Sequence, residues 1–225
     1  MRVRLPDGGV IALEATPGMT VMQALEQIAA KEPQLGFKSG CQSGVCGCCA
    51  VRVNGREVLA CSTPIQEGDE VSALRFVQSS DLATKSSAQR VLERSEAWLL
   101  RAAKGAQKPF LGRASDCILC GSCHSVCPVY ETGIDFLGPY ALSRVWRYCA
   151  DEREEAKREH LEAVQTLGIW DCTLCGYCSL VCPQGIDPKG DIVNLRSRSI
   201  VVGFEDPNAA AMGNMSFGFN PNQGF

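Results

Sequence analysis

Eight cysteines in two matching runs constrain this chain more than anything else in it. Cys117, Cys120, Cys123 and Cys127 follow the order C-x2-C-x2-C-x3-C and are closed by Pro128. Cys172, Cys175, Cys178 and Cys182 repeat that order and are closed by Pro183. The spacing is that of thiolate ligands to cubic [4Fe–4S] clusters. Three cysteines of one loop bind one cluster, and the fourth, before the proline, reaches the other cluster. The runs therefore interlock: Cys117, Cys120, Cys123 and Cys182 are expected at one cluster, and Cys127, Cys172, Cys175 and Cys178 at the second. Any fold for this chain must bring two distant loops together.

A third set stands upstream. Cys41, Cys46 and Cys49 are spaced C-x4-C-x2-C, with Cys61 further on, which is the plant-type [2Fe–2S] arrangement. Iron and sulfide call for soft thiolate donors. Gly40, Gly44 and Gly47 let the loop wrap closely, so that backbone N–H groups can point at sulfur and tune the potential. The three sets use twelve of the fourteen cysteines. Cys48 and Cys149 are left over. The x2 spacing selects Cys49 over Cys48 as the ligand, and Cys149, in an apolar stretch after Trp146, reads as a buried free thiol. The competing reading is structural zinc, which four cysteines also bind. Zinc ribbons separate their two pairs by a longer loop, whereas each of these runs packs four cysteines together and ends in proline. Disulfides belong to small secreted scaffolds, and no signal peptide is visible in residues 1–20.

The hydrophobic pattern gives an α+β fold in two parts. Residues 1–77 read as a β-rich [2Fe–2S] domain. Strands are expected at 2–5 and 10–15 around Asp7-Gly8-Gly9, at 50–53 and 57–60 around the favoured hairpin turn Asn54-Gly55, and at 71–77. Thr20 and Gln23 form a capping-box signature ahead of a helix over 21–31, with Val21, Leu25 and Ile28 on one face and Pro33 ending it. Residues 78–112 shift to a serine-containing linker with a helix near 88–103. Residues 113–203 read as a helical domain carrying both [4Fe–4S] runs, with helices at 139–150, 152–167 and 188–201, the last capped by Asp187. Residues 204–225, with Phe204, Phe217, Phe219 and Phe225 among Gly, Asn and Pro, read as an extended partner-docking tail. The charged run 151–159 and the neighbouring His160 are expected on a solvated helix face. His124, next to Cys123, is expected to point away from iron.

Several function classes drop out. A net charge of −3 gives no attraction to nucleic acid. No apolar run reaches the roughly 18 residues needed to cross a bilayer. There is no dinucleotide fingerprint, no P-loop and no nucleophile–base set apart from the cysteines. Three redox centres without a substrate pocket imply that bond chemistry happens on another subunit, and no catalytic residue is assigned here.

Taken together, GCQSGVCGCC, Cys61, CILCGSCHSVCP and CTLCGYCSLVCP resemble the iron–sulfur subunit of succinate dehydrogenase and fumarate reductase over roughly residues 1–202. The resemblance implies a β-grasp domain followed by a bacterial-type two-cluster ferredoxin domain. It implies an FAD-containing catalytic subunit at which succinate and fumarate interconvert, and a membrane-associated anchor or cysteine-rich subunit with a quinone near the distal cluster. It places the Cys41 cluster toward flavin, the Cys117 cluster in the middle and the Cys172 cluster at the far end. The complex is expected at the cytoplasmic face of the membrane; export alongside a signal-bearing partner would leave no trace in this chain. One departure is informative. Most members lack the second cysteine of the last run and hold [3Fe–4S] there, whereas Cys175 fills that place here. A full [4Fe–4S] is therefore expected, as in the variant subgroup whose exit is thiol- or methylmenaquinol-linked, with [3Fe–4S] as the alternative at that second site. The alternative is service to another flavoprotein, of hydroxyacid-oxidase or heterodisulfide-reductase type, but those families usually lack the plant-type domain.

Overall fold

A computed structural model describes residues 1–4, 8–14, 16, 18–37, 39–76 and 113–209. The linker helix expected near 88–103 and residues 210–225 lie outside these.

In the N-terminal part, five short strands make one mixed sheet: β1 (Arg2–Arg4), β2 (Val10–Ala12), β3 (Ala50–Val53), β4 (Arg56–Leu59) and β5 (Glu70–Ser72), in the order β2-β1-β5-β3-β4. β1 runs parallel to β5, and the other pairs are antiparallel. Alternation sets the faces: Val3 is fully buried between exposed Arg2 and Arg4. The β3–β4 hairpin pairs Val53 with Arg56 across Asn54 and Gly55, both at positive φ as the tight turn requires. Helix α1 (Val21–Lys31) buries Val21, Leu25 and Ile28 in the core with Val51 and Val71. Its capping box is complete, with Gln23 N–H donating to Thr20 Oγ1 at 3.3 Å and Thr20 N–H to Gln23 Oε1 at 2.9 Å. The last strand is shorter than expected and ends at Ser72, because residues 73–76 turn toward the second domain.

The C-terminal part has two one-turn helices, α2 (Ser122–Ser125) and α5 (Tyr177–Leu180), and three longer elements: α3 (Pro139–Cys149), α4 (Lys157–Ala163) and α6 (Pro188–Val201). Leu142, Val145, Leu161, Ile169, Ile192 and Leu195 form its core. Asp187 caps α6 by accepting from Gly190 N–H at 3.0 Å.

Two expectations are corrected here. The helix expected over 152–167 is confined to Lys157–Ala163. Asp151 accepts from Arg153 N–H at 3.0 Å and from its guanidinium at 2.8 Å, and Glu154 accepts from Ala156 N–H at 2.7 Å. These local bonds give the backbone an alternative to the helix. Nor is this stretch solvated throughout: Glu152, Glu155, Arg158 and Glu159 are exposed, but Asp151, Glu154 and His160 are buried, and His160 Nε2 lies 3.3 Å from Glu154 Oε2. Phe204 packs on its own domain beneath the Arg158 guanidinium.

Candidate metal centres and the junction between them

The loop after α1 is shaped around its own sulfurs. Gln42, Gly44 and Gly47 adopt positive φ, which turns successive N–H groups inward. Cys41 Sγ accepts from Val45 N–H at 3.4 Å and from Ser43 N–H at 3.5 Å. Cys46 Sγ accepts from Cys41 N–H at 3.4 Å and from Cys48 N–H at 3.5 Å. Such donors favour the thiolate: the Ser43 hydrogen bonds, with that of Val45, pull Cys41 down to about 6 although it is exposed. The β3–β4 hairpin then brings Cys61 back beside Cys49, with Ala60 N–H bonded to the Cys49 carbonyl at 3.0 Å. Both thiols are buried, and burial pushes Cys49 up to about 11. The Cys48 thiol lies 4.0 Å from the Cys46 carbonyl oxygen of its own loop.

The two C-terminal runs fold as copies. Leu119 and Leu174 sit at φ of 56° and 55°, and Gly121 and Gly176 follow at 82° and 83°. A left-handed leucine is uncommon and costs roughly 1–2 kcal/mol; its occurrence at the same place in both runs marks a shape imposed on ligand loops. Each loop ends in its one-turn helix, α2 or α5. A cavity beside α2 is lined by Cys117, Cys120, Cys123 and Cys182, with Tyr140 and Ile186. The charges of Cys172 and Cys175 act on Cys127, and those of Cys172, Cys127 and Cys175 act on Cys178, so these four thiols share one electrostatic neighbourhood. Cys182, the fourth cysteine of its run, thus lines a cavity with the first three of the other. Burial raises the thiols of Cys117, Cys123 and Cys172, lifts Cys127 to about 11 and lifts Cys178 to about 12. At Cys172 the Arg196 charge opposes the rise; the same guanidinium donates to the Cys172 carbonyl at 2.7 Å and lies over Trp170.

The donor chemistry fits clusters. Each set is all-sulfur, and N–H groups already aim at Cys41, Cys46 and Cys172, the last from Leu174 at 3.4 Å. Among the described residues no three His, Cys, Asp or Glu side chains converge on a point that would hold one ion. Cys117, Cys120, Cys123 and Cys182 line one cavity.

The first ligand loop touches the second. A side chain at Gly47, in the first loop, would meet the Ile118 carbonyl oxygen at 2.8 Å and Cys120 at 3.0 Å, so the glycine permits backbone-to-backbone contact between two ligand loops. Gln184, two residues after Cys182, donates to the Gly44 carbonyl at 3.3 Å. Cys41 and Cys175 are the exposed cysteines among the described residues. His124 stacks on Tyr130 at 4.0 Å between ring centres and serves packing beside the cluster loop. Cys149 is buried, and burial lifts its thiol to about 12, so it is an inert core residue.

Sequence reading missed the polar junction behind these loops. Ser125, between Cys123 and Cys127, donates to Glu57 Oε1 at 2.9 Å and accepts from Arg75 N–H at 2.8 Å. The signal for Glu57 was present: the two-residue strand period puts it on the same face as buried Leu59, where a carboxylate needs a partner.

Comparison with known proteins agrees with this geometry. The family "2Fe-2S iron-sulfur cluster binding domain" matches residues 10–87, and "4Fe-4S dicluster domain" matches residues 113–186. A chain of the fumarate reductase (CoM/CoB) of Methanothermobacter marburgensis is 31% identical over 183 residues, covering 78% of this chain; the chain spans 37% of that relative's length. The fumarate reductase iron-sulfur subunit of Escherichia coli O6:H1 is 32% identical over 178 residues, covering 71% of this chain and 72% of its own length. A chain of the Mycobacterium smegmatis Sdh1 complex in the apo form superposes with a TM-score of 0.74 at 22% identity, over 91% of this chain and 97% of that one, and so shares the fold. No described helix is long and apolar enough to cross a membrane.

Proposed function

The chain belongs to the family of iron–sulfur subunits of succinate dehydrogenase and fumarate reductase, and on that premise we propose that it relays electrons through three clusters in a row. Cys41, Cys46, Cys49 and Cys61 hold [2Fe–2S] at the end that meets an FAD-bearing subunit interconverting succinate and fumarate. Cys117, Cys120, Cys123 and Cys182 hold the middle [4Fe–4S]. Cys127, Cys172, Cys175 and Cys178 hold a second [4Fe–4S] facing a quinone or a thiol-linked, cysteine-rich subunit at the cytoplasmic membrane face. The name of the methanogen relative favours the thiol-linked form of that exit. Residues 1–77 are the β-grasp unit, 113–203 the two-cluster ferredoxin unit, 78–112 the linker and 204–225 the tail toward a partner.

When bound, such clusters supply reversible one-electron carriage. The polypeptide supplies everything else. Its thiolates hold each site, and the N–H groups of Ser43, Val45, Cys48 and Leu174 place positive dipole ends at sulfur. Leu59, Val129 and Ile186 exclude water around the junction and the middle site. The observation that carries the proposal is the contact of the Gly47 loop with Ile118 and Cys120, which abuts the first site on the second. The test is anaerobic co-purification with the flavin-bearing partner, followed by electron paramagnetic resonance and assay with succinate and fumarate. Three reducible centres and turnover of either acid are expected. A zinc-bound, colourless preparation would refute the reading.

A further inference from the structure

The described residues join the two domains through a small polar network set between ligand loops. Glu57 lies on β4, in the hairpin that starts immediately after Cys49 and ends just before Cys61. Ser125 lies on α2, between Cys123 of one [4Fe–4S] set and Cys127 of the other. The Ser125 hydroxyl donates to Glu57 Oε1 at 2.9 Å across this gap and accepts from Arg75 N–H at 2.8 Å. Arg75, at the end of the N-terminal domain, also gives its Nε–H to the Ser125 carbonyl at 2.8 Å and pairs with Glu131. Ser125 is fully buried and the Glu57 side chain is 4% exposed. Arg52 Nε lies 3.2 Å from the same Glu57 oxygen. A buried carboxylate in this setting is demanding: the hydroxyl and guanidinium that face it must stay in place, or it is left without partners in a dry site.

We propose that Ser125, with Glu57 and Arg75, is the spacing latch between the first and middle centres. It joins the hairpin flanked by two [2Fe–2S] ligands to the one-turn helix flanked by two [4Fe–4S] ligands. It thereby holds the Gly47 loop on Ile118 and Cys120, and sets the separation across which the electron passes. These are positioning residues; none touches iron or substrate. The inference rests on the relay reading above. Because tunnelling between centres falls steeply with separation, a small opening of this junction slows one step and leaves each centre chemically intact.

The test uses the cluster-loaded full chain, in complex with its flavin-bearing partner. In Ser125→Ala, iron and sulfide content stay at the level of the unaltered protein. In the dithionite-reduced state, the relaxation enhancement of the [2Fe–2S] signal by its neighbour weakens, read from microwave power saturation. Reduction of the middle centre through the first slows by a few-fold, because tunnelling falls exponentially with separation. Ser125→Thr, which keeps the hydroxyl, restores both readouts. Unchanged saturation and rate in Ser125→Ala at full cluster content would overturn the proposal. Should Ser125→Ala fail to assemble, Arg75→Gln is measured in the same way, and unchanged saturation there overturns it equally. Failure of the relay reading looks different, because the unaltered chain would then lack three centres.

Discussion

The first metal centre and the paired centres are built on opposite plans. The N-terminal loop hangs from a sheet-and-helix core that stands without it: Val3, Leu25, Val51 and Val71 are fully buried and owe nothing to iron. Its outermost sulfur, Cys41, is exposed and already favours the thiolate through backbone donors. The C-terminal sulfurs, apart from exposed Cys175, are half-buried or buried. Burial disfavours the thiolates of Cys117, Cys123, Cys127, Cys172 and Cys178 in the iron-free chain. Only metal ligation makes that concentration of sulfur charge tolerable, so the second domain should depend on its clusters for folding while the first merely carries one.

The largest expected effect follows from that contrast. Cys123→Ser should empty both [4Fe–4S] sites and unfold the C-terminal domain, taking iron from about ten atoms per chain toward about two. Cys49→Ser should lose the [2Fe–2S] signal alone and leave both domains folded. Iron analysis with circular dichroism melting separates the two outcomes; equal damage from both variants would break the comparison. Gly47→Ala comes next. It needs a left-handed alanine and a Cβ within 2.8 Å of the Ile118 carbonyl oxygen. It should cost about 1–2 kcal/mol or more in the first domain and push the loops apart, which chemical denaturation of the loaded chain would report.

Cys175→Ser has a smaller, local effect. Cys175 is exposed, so its loss should leave the fold and yield a three-iron signal in the oxidised protein. An unaltered spectrum removes Cys175 from the ligand set. The smallest effect concerns Asp191, on α6, which takes a hydrogen bond from Ser143 on α3 and whose carboxyl burial lifts to about 6. A raised acid favours the protonated native state. Its stabilisation is complete below the ordinary carboxylate range and is lost as pH rises through about 6. Asp191→Asn should flatten melting temperature against pH in that window and leave both [4Fe–4S] signals in place; an unchanged slope removes Asp191 from the account.

The same contrast explains what was legible in the sequence. The positions of the cysteines announce themselves because ligand geometry fixes their spacing. The capping box at Thr20 and the turn at Asn54-Gly55 are equally local. The Ser125–Glu57–Arg75 junction joins residues 68 and 50 apart in sequence, and no local pattern encodes such pairings. The burial of Asp151 and Glu154 was hidden for the related reason that a charge run looks solvated until its partners are known. Their hydrogen bonds to Arg153 and Ala156 lie close in sequence, but competition between side-chain and helical bonding is decided by what covers them. The domain boundaries and the tail rest on composition alone.

The proposed crosswise seating of Cys127 and Cys182 has a consequence for biosynthesis. Cys117, Cys120 and Cys123 leave the ribosome well before Cys182, and Cys127 well before the three sulfurs it faces. With that seating neither half closes around its mineral core on its own, and maturation should await a nearly finished polypeptide. A nascent chain stalled between the two halves would present open, oxygen-sensitive sulfur to the cell, and premature termination there should leave a product that no later repair can fill.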